Sequence, residues 1–305
     1  MYTDGVIHYI IQKMLEETKM ISIKKQKYIL LIILLAMFVF VIWQNNSITT
    51  TVSDYSSSKI PAEFNNFKIA QISDLHNKRF GFKQSRLLKK LEAVSPDVIL
   101  VTGDLIDRRK YNLDAAMDFI EGALRIAPVY YVSGNHEAWS GQYSVIKENL
   151  QEAGVIVLED AKAELTRGGS SIIISGVSDP DFLTNSYIEG TDTSSMEEVL
   201  KKWSNMDELK ILISHRPELF DLYVENSMDI IFAGHAHGGQ FRMPFIGGLV
   251  APDQGLFPKY TSGSYVEDNS TMYVSRGLGN SIIPVRMFNR PEIVVVNLKA
   301  GALQE

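Results

Sequence analysis

The chain contains no cysteine. A disulfide framework, a thiolate metal site and a cysteine nucleophile are therefore excluded, and any bound metal must be held by histidine, asparagine and carboxylate side chains. A long lysine or arginine block is missing from the body of the chain, and the net charge is −6. A protein that works by neutralising nucleic-acid phosphates needs the opposite balance, so no nucleic-acid binding is expected. Histidine is scarce, with six in 305 residues. What is present suffices for a full core: 45% of the residues are hydrophobic and 22% are charged. That composition describes a globular chain with one large, catalytic-size domain.

The first 66 residues stand apart. Tyr28 to Trp43, YILLIILLAMFVFVIW, runs for 16 residues without a charge. As an α-helix it rises about 24 Å against a hydrocarbon core of about 30 Å, a short span that flanking side chains can extend. Lys24, Lys25 and Lys27 can snorkel toward headgroups, and Tyr28 and Trp43 stand where interfacial aromatics belong. The following QNNSITTTVSDYSSS offers no A-x-A-like cleavage site, and the preceding 27 residues are long for the n-region of a signal peptide. A retained anchor is therefore expected. Five lysines precede the segment, whereas residues 44–66 hold only Lys59. This asymmetry puts the N-terminus inside and the globular part outside the cytoplasmic membrane, as a single-pass protein. The expected organisation is an N-terminal cytoplasmic segment over 1–27, a transmembrane anchor over 28–43, a flexible linker over 44–62 and a catalytic domain over 63–300. Residues 6–20 read equally as a short amphipathic helix or a plain tail, and His8 within them is given no ligand role.

From Phe67 onward short apolar runs alternate with helical patterns, the order of a layered α/β domain. KIAQIS (68–73), DVILVT (97–102), PVYYVS (128–133), KILIS (210–214) and DIIFA (229–233) are the strand candidates. Leu87, Leu88, Leu91 and Val94 share one helical face, as do Ala116, Phe119, Ile120 and Leu124. A third helix over Tyr143–Ala153 ends at Gly154, a natural C-cap. VIVLE (155–159) and SIIISGV (171–177) suggest a sheet continuing through hairpins, with Gly168 and Gly169 turning the chain. The polar stretch 178–205 is a candidate lid or substrate rim, with a helix near 196–203. The last third is rich in glycine, proline and aromatics and closes with the strand-like EIVVVNLK.

Each of the five apolar runs is followed at once by metal-binding residue types. SDLH supplies Asp74 and His76, TGDL supplies Asp104, and SGNHE supplies Asn135 and His136. SHRPE supplies His215, and AGHAHGG supplies His235 and His237. The carboxyl ends of strands in an α/β sheet converge on one edge, so residues spread from 74 to 237 can meet in one pocket. Five of the six histidines fall at these ends. Nitrogen and oxygen donors without sulfur suit two divalent ions such as Mn, Fe or Zn, with Mn favoured. A carboxylate bridging two such ions is an arrangement used for phosphoester hydrolysis, in which a metal-activated hydroxide attacks phosphorus.

In their order along the chain, DLH, GDL, GNHE, SH and GHAHGGQ resemble the calcineurin-like metallophosphoesterases. GHAHGGQ, SHRPE and RGLGNSIIPVRMFNRPE are similar to the bacterial, membrane-anchored phosphodiesterase and phosphohydrolase branch of that superfamily. The resemblance implies a layered β-sandwich core flanked by α-helices, preceded here by one transmembrane helix. It implies a first metal held by the residues matching Asp74, His76, Asp104 and His237, and a second held by Asp104, Asn135, His215 and His235. His136 matches a histidine that binds no metal but hydrogen-bonds the phosphate and stabilises or protonates the leaving oxygen. The implied substrate is a phosphoester, with a lipid headgroup or a cell-envelope polymer as one class.

Other residues read two ways. SDPDF (178–182) is a turn signal or part of a substrate rim. Arg276, Arg286 and Arg290 can bind phosphate or pair with surface carboxylates. Two rival functions also stand beside the phosphodiesterase: a broad-specificity ectonucleotidase or phosphomonoesterase, and a non-catalytic scaffold. A scaffold would be expected to have lost ligands, and here all seven metal-binding positions and His136 are intact.

Overall fold

The computed structural model describes residues 2–184, 191–243, 245–280 and 284–301. Parts of the candidate rim over 178–205 and of the RGLGNSIIPVRMFNRPE motif lie outside the described residues. The chain divides into two units, Met1–Trp43 and Gln44–Glu305.

The first unit is helical. Helix α1 runs unbroken over Tyr2–Asn46. No proline interrupts it and Gly5 is its one glycine, so the helix runs through residues 27 and 28, the boundary expected between the cytoplasmic segment and the anchor. From Gln12 to Asn46 it is long and apolar enough to cross a membrane. Its side chains over residues 28–39 are exposed.

The second unit starts at Gln44. Residues 44–62, expected as a flexible linker, contain strand β1, Thr49–Ser57, paired in parallel with the closing strand β16, Glu292–Ala300. The polar TTTVSDYSS run is an edge strand paired through its backbone, with Thr51 and Asp54 adding side-chain hydrogen bonds with Glu292 and Asn297 of β16.

Two six-stranded sheets form the core. The first uses β1, β16, β2 (Lys68–Ile72), β3 (Val98–Thr102), β4 (Val129–Val132) and β5 (Ile156–Val157), in that spatial order. All its pairings are parallel except β16 with β2. The second contains β6 (Ala161–Arg167), β7 (Ser170–Gly176), β8 (Lys210–Ile213) and β9 (Ile230–Ala233). Two minor ladders follow in sequence, β10 (Arg242–Met243) with β11 (Gly247–Gly248) and β12 (Val250–Ala251) with β13 (Gly255–Leu256). Strands β14 (Gly263–Glu267) and β15 (Ser270–Val274) complete the second sheet beside β9. The expected hairpin at Gly168 and Gly169 joins β6 to β7, but it belongs to this second sheet.

Alternation along the strands explains the layering. In β3, Val98 and Leu100 meet Ile211, Ile213 and Phe232 of the second sheet, while Ile99 and Val101 point the other way. On that outer face they meet α2 (Ser85–Val94), α3 (Leu113–Leu124) and, after the single-turn α4 (Asn135–Ala138), α5 (Tyr143–Ala153) through Leu87, Leu91, Phe119, Ile120 and Leu150. Behind the second sheet, α6 (Ser194–Trp203) and α7 (Phe220–Glu225) bury Met196, Leu200, Phe220 and Tyr223 against Leu212, Ile231 and Met272. Burial on both faces is why these strands read as continuous apolar runs rather than alternating ones. The result is the layered α/β architecture expected, with two sheets sandwiched between helices. Gly154 ends α5 in the left-handed conformation (φ 103°), as its position suggested.

Candidate metal centre

The carboxyl ends of β2, β3 and β4 in one sheet and of β8 and β9 in the other carry every candidate ligand. After each apolar strand the backbone turns sharply. Asp74 (φ 52°), His76 (45°), Asp104 (54°), His235 (63°) and His237 (47°) all adopt the left-handed region. Each costs of order 1–3 kcal/mol for a side-chain-bearing residue, strain that the packed sheets must hold. The loops also approach one another more closely than side chains would allow. A Cβ on Gly103 would fall 2.8 Å from His215 Nδ1, and one on Gly134 would fall 2.3 Å from Asp104 Oδ1.

These turns assemble two clusters. In the first, Asp74, His76, Asp104 and His237 place their ligand atoms within 4.8 Å of one another, all buried. His76 Nε2 lies 3.0 Å from His237 Nε2, and His237 Nε2 lies 3.4 Å from Asp74 Oδ1. In the second, Asp104, His215 and His235 converge likewise. His215 Nε2 lies 3.2 Å from both Asn135 Oδ1 and His235 Nδ1. Asp104 belongs to both clusters, because its Oδ2 is 3.4 Å from His76 Nε2 and 3.3 Å from His215 Nε2.

In the first cluster burial holds the imidazoles in the neutral form that binds a cation, whereas in the second a proton on His215 must leave before one binds. Burial pushes His76 down to about 3 and His237 well below its usual value, so two neutral imidazoles face each other with lone pairs in excess. Among the described residues His76 Nδ1 has no hydrogen-bond partner. Burial would also depress His215, but the Asp104 carboxylate and its hydrogen bond push it up to about 10. Its Nδ1–H donates to the Thr102 carbonyl at 2.7 Å, which leaves Nε2 as the atom facing Asp104, Asn135 and His235. A proton there is shared among three acceptors, a task a divalent ion performs better. Burial would raise Asp104, yet the His215 imidazole beside it holds it well below the carboxylate range. Nitrogen and oxygen donors converging in this way fit two divalent cations.

The family model for calcineurin-like phosphoesterases matches residues 67–239. The chain belongs to that family. The phosphoesterase is similar to the metallophosphoesterase YkuE of Bacillus subtilis (strain 168), 30% identical over 258 residues that cover 83% of this chain and 86% of YkuE. It is similar to phosphodiesterase YaeI of Escherichia coli (strain K12), 26% identical over 76% of this chain and 82% of that one. A transmembrane protein with a metallophosphoesterase domain from Danio rerio is 26% identical over 79% of this chain and 55% of its own length. The protein is a metal-dependent phosphoesterase, a hydrolase of ester bonds.

Around the clusters the phosphoesterase carries supporting residues to which the sequence reading gave no role. Glu137 is buried and accepts from the N–H groups of Asp104 (2.8 Å), Gly134 (2.9 Å) and Ile106 (3.2 Å). It ties the β3 and β4 turns together. Asp104 Oδ1 accepts from the His136 N–H at 2.9 Å, which fixes the rotation of the carboxylate. Arg216 and Asp253 lie against His235. Their signal was weak: Arg216 sat inside the quoted SHRPE, and Asp253 follows no strand-like run. Asp179 caps the turn over Pro180–Phe182 and pairs with Arg216, so SDPDF is both a turn and a scaffold for the site.

The three arginines singled out from the sequence have protein partners. Arg276 pairs with Glu292 at 2.8 Å, and Arg290 donates to the Ser47 carbonyl at 2.9 Å. Arg286 is buried and donates to the carbonyls of Gly279 and Arg276, with Nη2 3.5 Å from His237 Nδ1. His8 lies in α1, outside the centre.

Proposed function

We propose that this phosphoesterase is a single-pass membrane protein whose catalytic domain hydrolyses phosphodiesters outside the cytoplasmic membrane, using two divalent cations. The observation that carries the two-cation reading is the single oxygen Asp104 Oδ2 between His76 and His215, one imidazole from each cluster. Asp74, His76, Asp104 and His237 would hold one ion, and Asp104, Asn135, His215 and His235 the other. The sulfur-free donor set suits Mn, Fe or Zn, of which Mn is the ion proposed. Two such ions supply an activated water and neutralise charge on the non-bridging phosphate oxygens.

The remaining work falls to the chain's own groups. His136 Nδ1 accepts from the Arg108 N–H at 3.2 Å, so the neutral ring carries its proton on Nε2. That N–H is the donor for a phosphate or leaving oxygen. Burial lowers the His136 pKa and keeps the ring in this neutral form. Glu137 holds the Asp104 backbone still, so the shared carboxylate does not have to be ordered during the reaction. No side chain is asked to form a covalent bond to phosphorus.

Similarity to a relative named as a phosphodiesterase supports the diester preference. The apolar helix over Gln12–Asn46, and the five lysines ahead of its charge-free run 28–43, support the anchor and its direction. A tether of this kind would hold the site near lipid headgroups or envelope polymers, the proposed substrates, and equally near soluble nucleotides. The test is the full chain in detergent with Mn and bis-p-nitrophenyl phosphate, with metal content measured on the same sample. Inactivity together with failure to bind metal would end the reading. Comparing lipid vesicles with nucleotides then separates the substrate classes.

A further inference from the structure

Arg216 follows the candidate ligand His215 directly and is 1% exposed. Its Nε and Nη2 make a two-pronged pair with Asp179 at 2.7 and 2.8 Å. Its Nη1 donates to Asp253 Oδ2 at 2.6 Å. Asp253 comes from the turn between β12 and β13, so one guanidinium ties together three distant segments of chain. Asp253 Oδ2 in turn lies 2.8 Å from His235 Nε2, while His235 Nδ1 lies 3.2 Å from His215 Nε2. One nitrogen of the ring faces the candidate second cation, and the other faces a carboxylate.

A carboxylate that accepts the distal N–H of a metal-binding imidazole fixes its tautomer and its orientation. We propose that Asp253, held by Arg216, is the positioning residue for His235: it accepts the Nε2 proton, leaves Nδ1 unprotonated toward the second cation, and makes that site depend on the β12–β13 turn. The inference rests on the two-cation reading above.

A competing use of the same atoms is a third cation site, since Glu218, His235 and Asp253 place ligand atoms within 4.8 Å of one another. Arg216 opposes it. Nη1 lies 3.2 Å from His235 Nε2, 2.6 Å from Asp253 Oδ2 and 3.5 Å from Glu218 Oε1. A permanent positive charge already stands among the three groups, and a divalent ion would be repelled by it.

The test uses the full chain in detergent, titrated with Mn(II), with stoichiometry from metal analysis and coupling between ions from electron paramagnetic resonance. The Asp253 side chain is 32% exposed, so Asp253→Ala is expected to fold, as unchanged circular dichroism will show. That variant should keep the first ion and lose affinity for the second by about 10–100-fold. The exchange-coupled signal then gives way to that of an isolated ion. Asp253→Asn, whose amide oxygen can still accept the Nε2 proton, should recover most of the loss.

Wild-type affinity for two ions in Asp253→Ala would overturn the proposal. So would an Asp253→Asn variant as defective as the alanine one, or a wild-type protein binding three ions where Asp253→Ala binds two. If the wild type binds fewer than two ions, the two-cation reading itself fails and this inference falls with it.

Discussion

Gly134→Ala isolates the shared carboxylate from everything else in the fold. The backbone at Gly134 is extended (φ −114°), so alanine suffers no conformational penalty there. The difficulty is space. A Cβ would fall 2.3 Å from Asp104 Oδ1 and 2.9 Å from the Asp104 nitrogen, against 3.4 Å for an ordinary contact. That nitrogen is bonded to Glu137, so the backbone resists movement and the carboxylate must swing away. Oδ2 then leaves its place between His76 and His215. Overpacking of this kind costs about 1–3 kcal/mol of stability, and a displacement of about 1 Å at a reacting centre costs about 100-fold in rate. The assay is kcat/KM on bis-p-nitrophenyl phosphate with metal content measured in parallel. Gly122→Ala is the matched control, because its Cβ would meet Leu88 Cδ1 at 2.2 Å between α2 and α3, away from the centre. It should lower stability yet keep both ions. A Gly134→Ala protein with two bound ions and wild-type turnover would refute the reasoning.

Other perturbations separate the remaining roles. Glu137→Ala leaves three buried N–H groups without an acceptor. At about 1–3 kcal/mol each this approaches the whole stability of a domain, so denaturant unfolding should show a severely weakened protein. Wild-type stability would mean that those turns hold without it. His136→Ala should lower kcat by about 10²–10⁴-fold with metal content unchanged; loss of metal would instead make it a ligand. Leu34→Lys puts a charge near the middle of the apolar run 28–43 of α1 at a cost of about 2.5–3.5 kcal/mol for insertion. It should shift protein out of the membrane fraction after an alkaline carbonate wash, and no shift would count against the anchor. Chelation should lower the melting temperature, by about 2.7 kcal/mol of lost stability for each ion present at 100 times its Kd. An unchanged melting temperature would show that the clusters are stable without a cation.

The strands bearing the clusters were legible because burial on both faces forces runs such as DVILVT and KILIS, and because the turns after them need aspartate, histidine and glycine in conformations few residues adopt. The division into two sheets was not legible. Whether β7 extends the first sheet or begins a second depends on pairing with β8, some 35 residues further on, which no local pattern records. β1 was missed for a different reason: an edge strand with half-exposed Thr and Ser carries little apolar alternation. β14 is exposed on most of its length and was lost in the glycine-rich third for the same cause. The ligand types could be read one by one, but the supports could not. The importance of Arg216 comes from partners at 179 and 253, and that of Glu137 from three backbone donors.

The central claim is that one oxygen of Asp104 serves two cations. Anomalous X-ray diffraction from crystals of the manganese-loaded protein tests it most directly. Two peaks about 3.5–4 Å apart on either side of Asp104 Oδ2 are the expected result, one beside Asp74, His76 and His237 and the other beside Asn135, His215 and His235. A single peak, or two peaks that do not share Asp104, would contradict it.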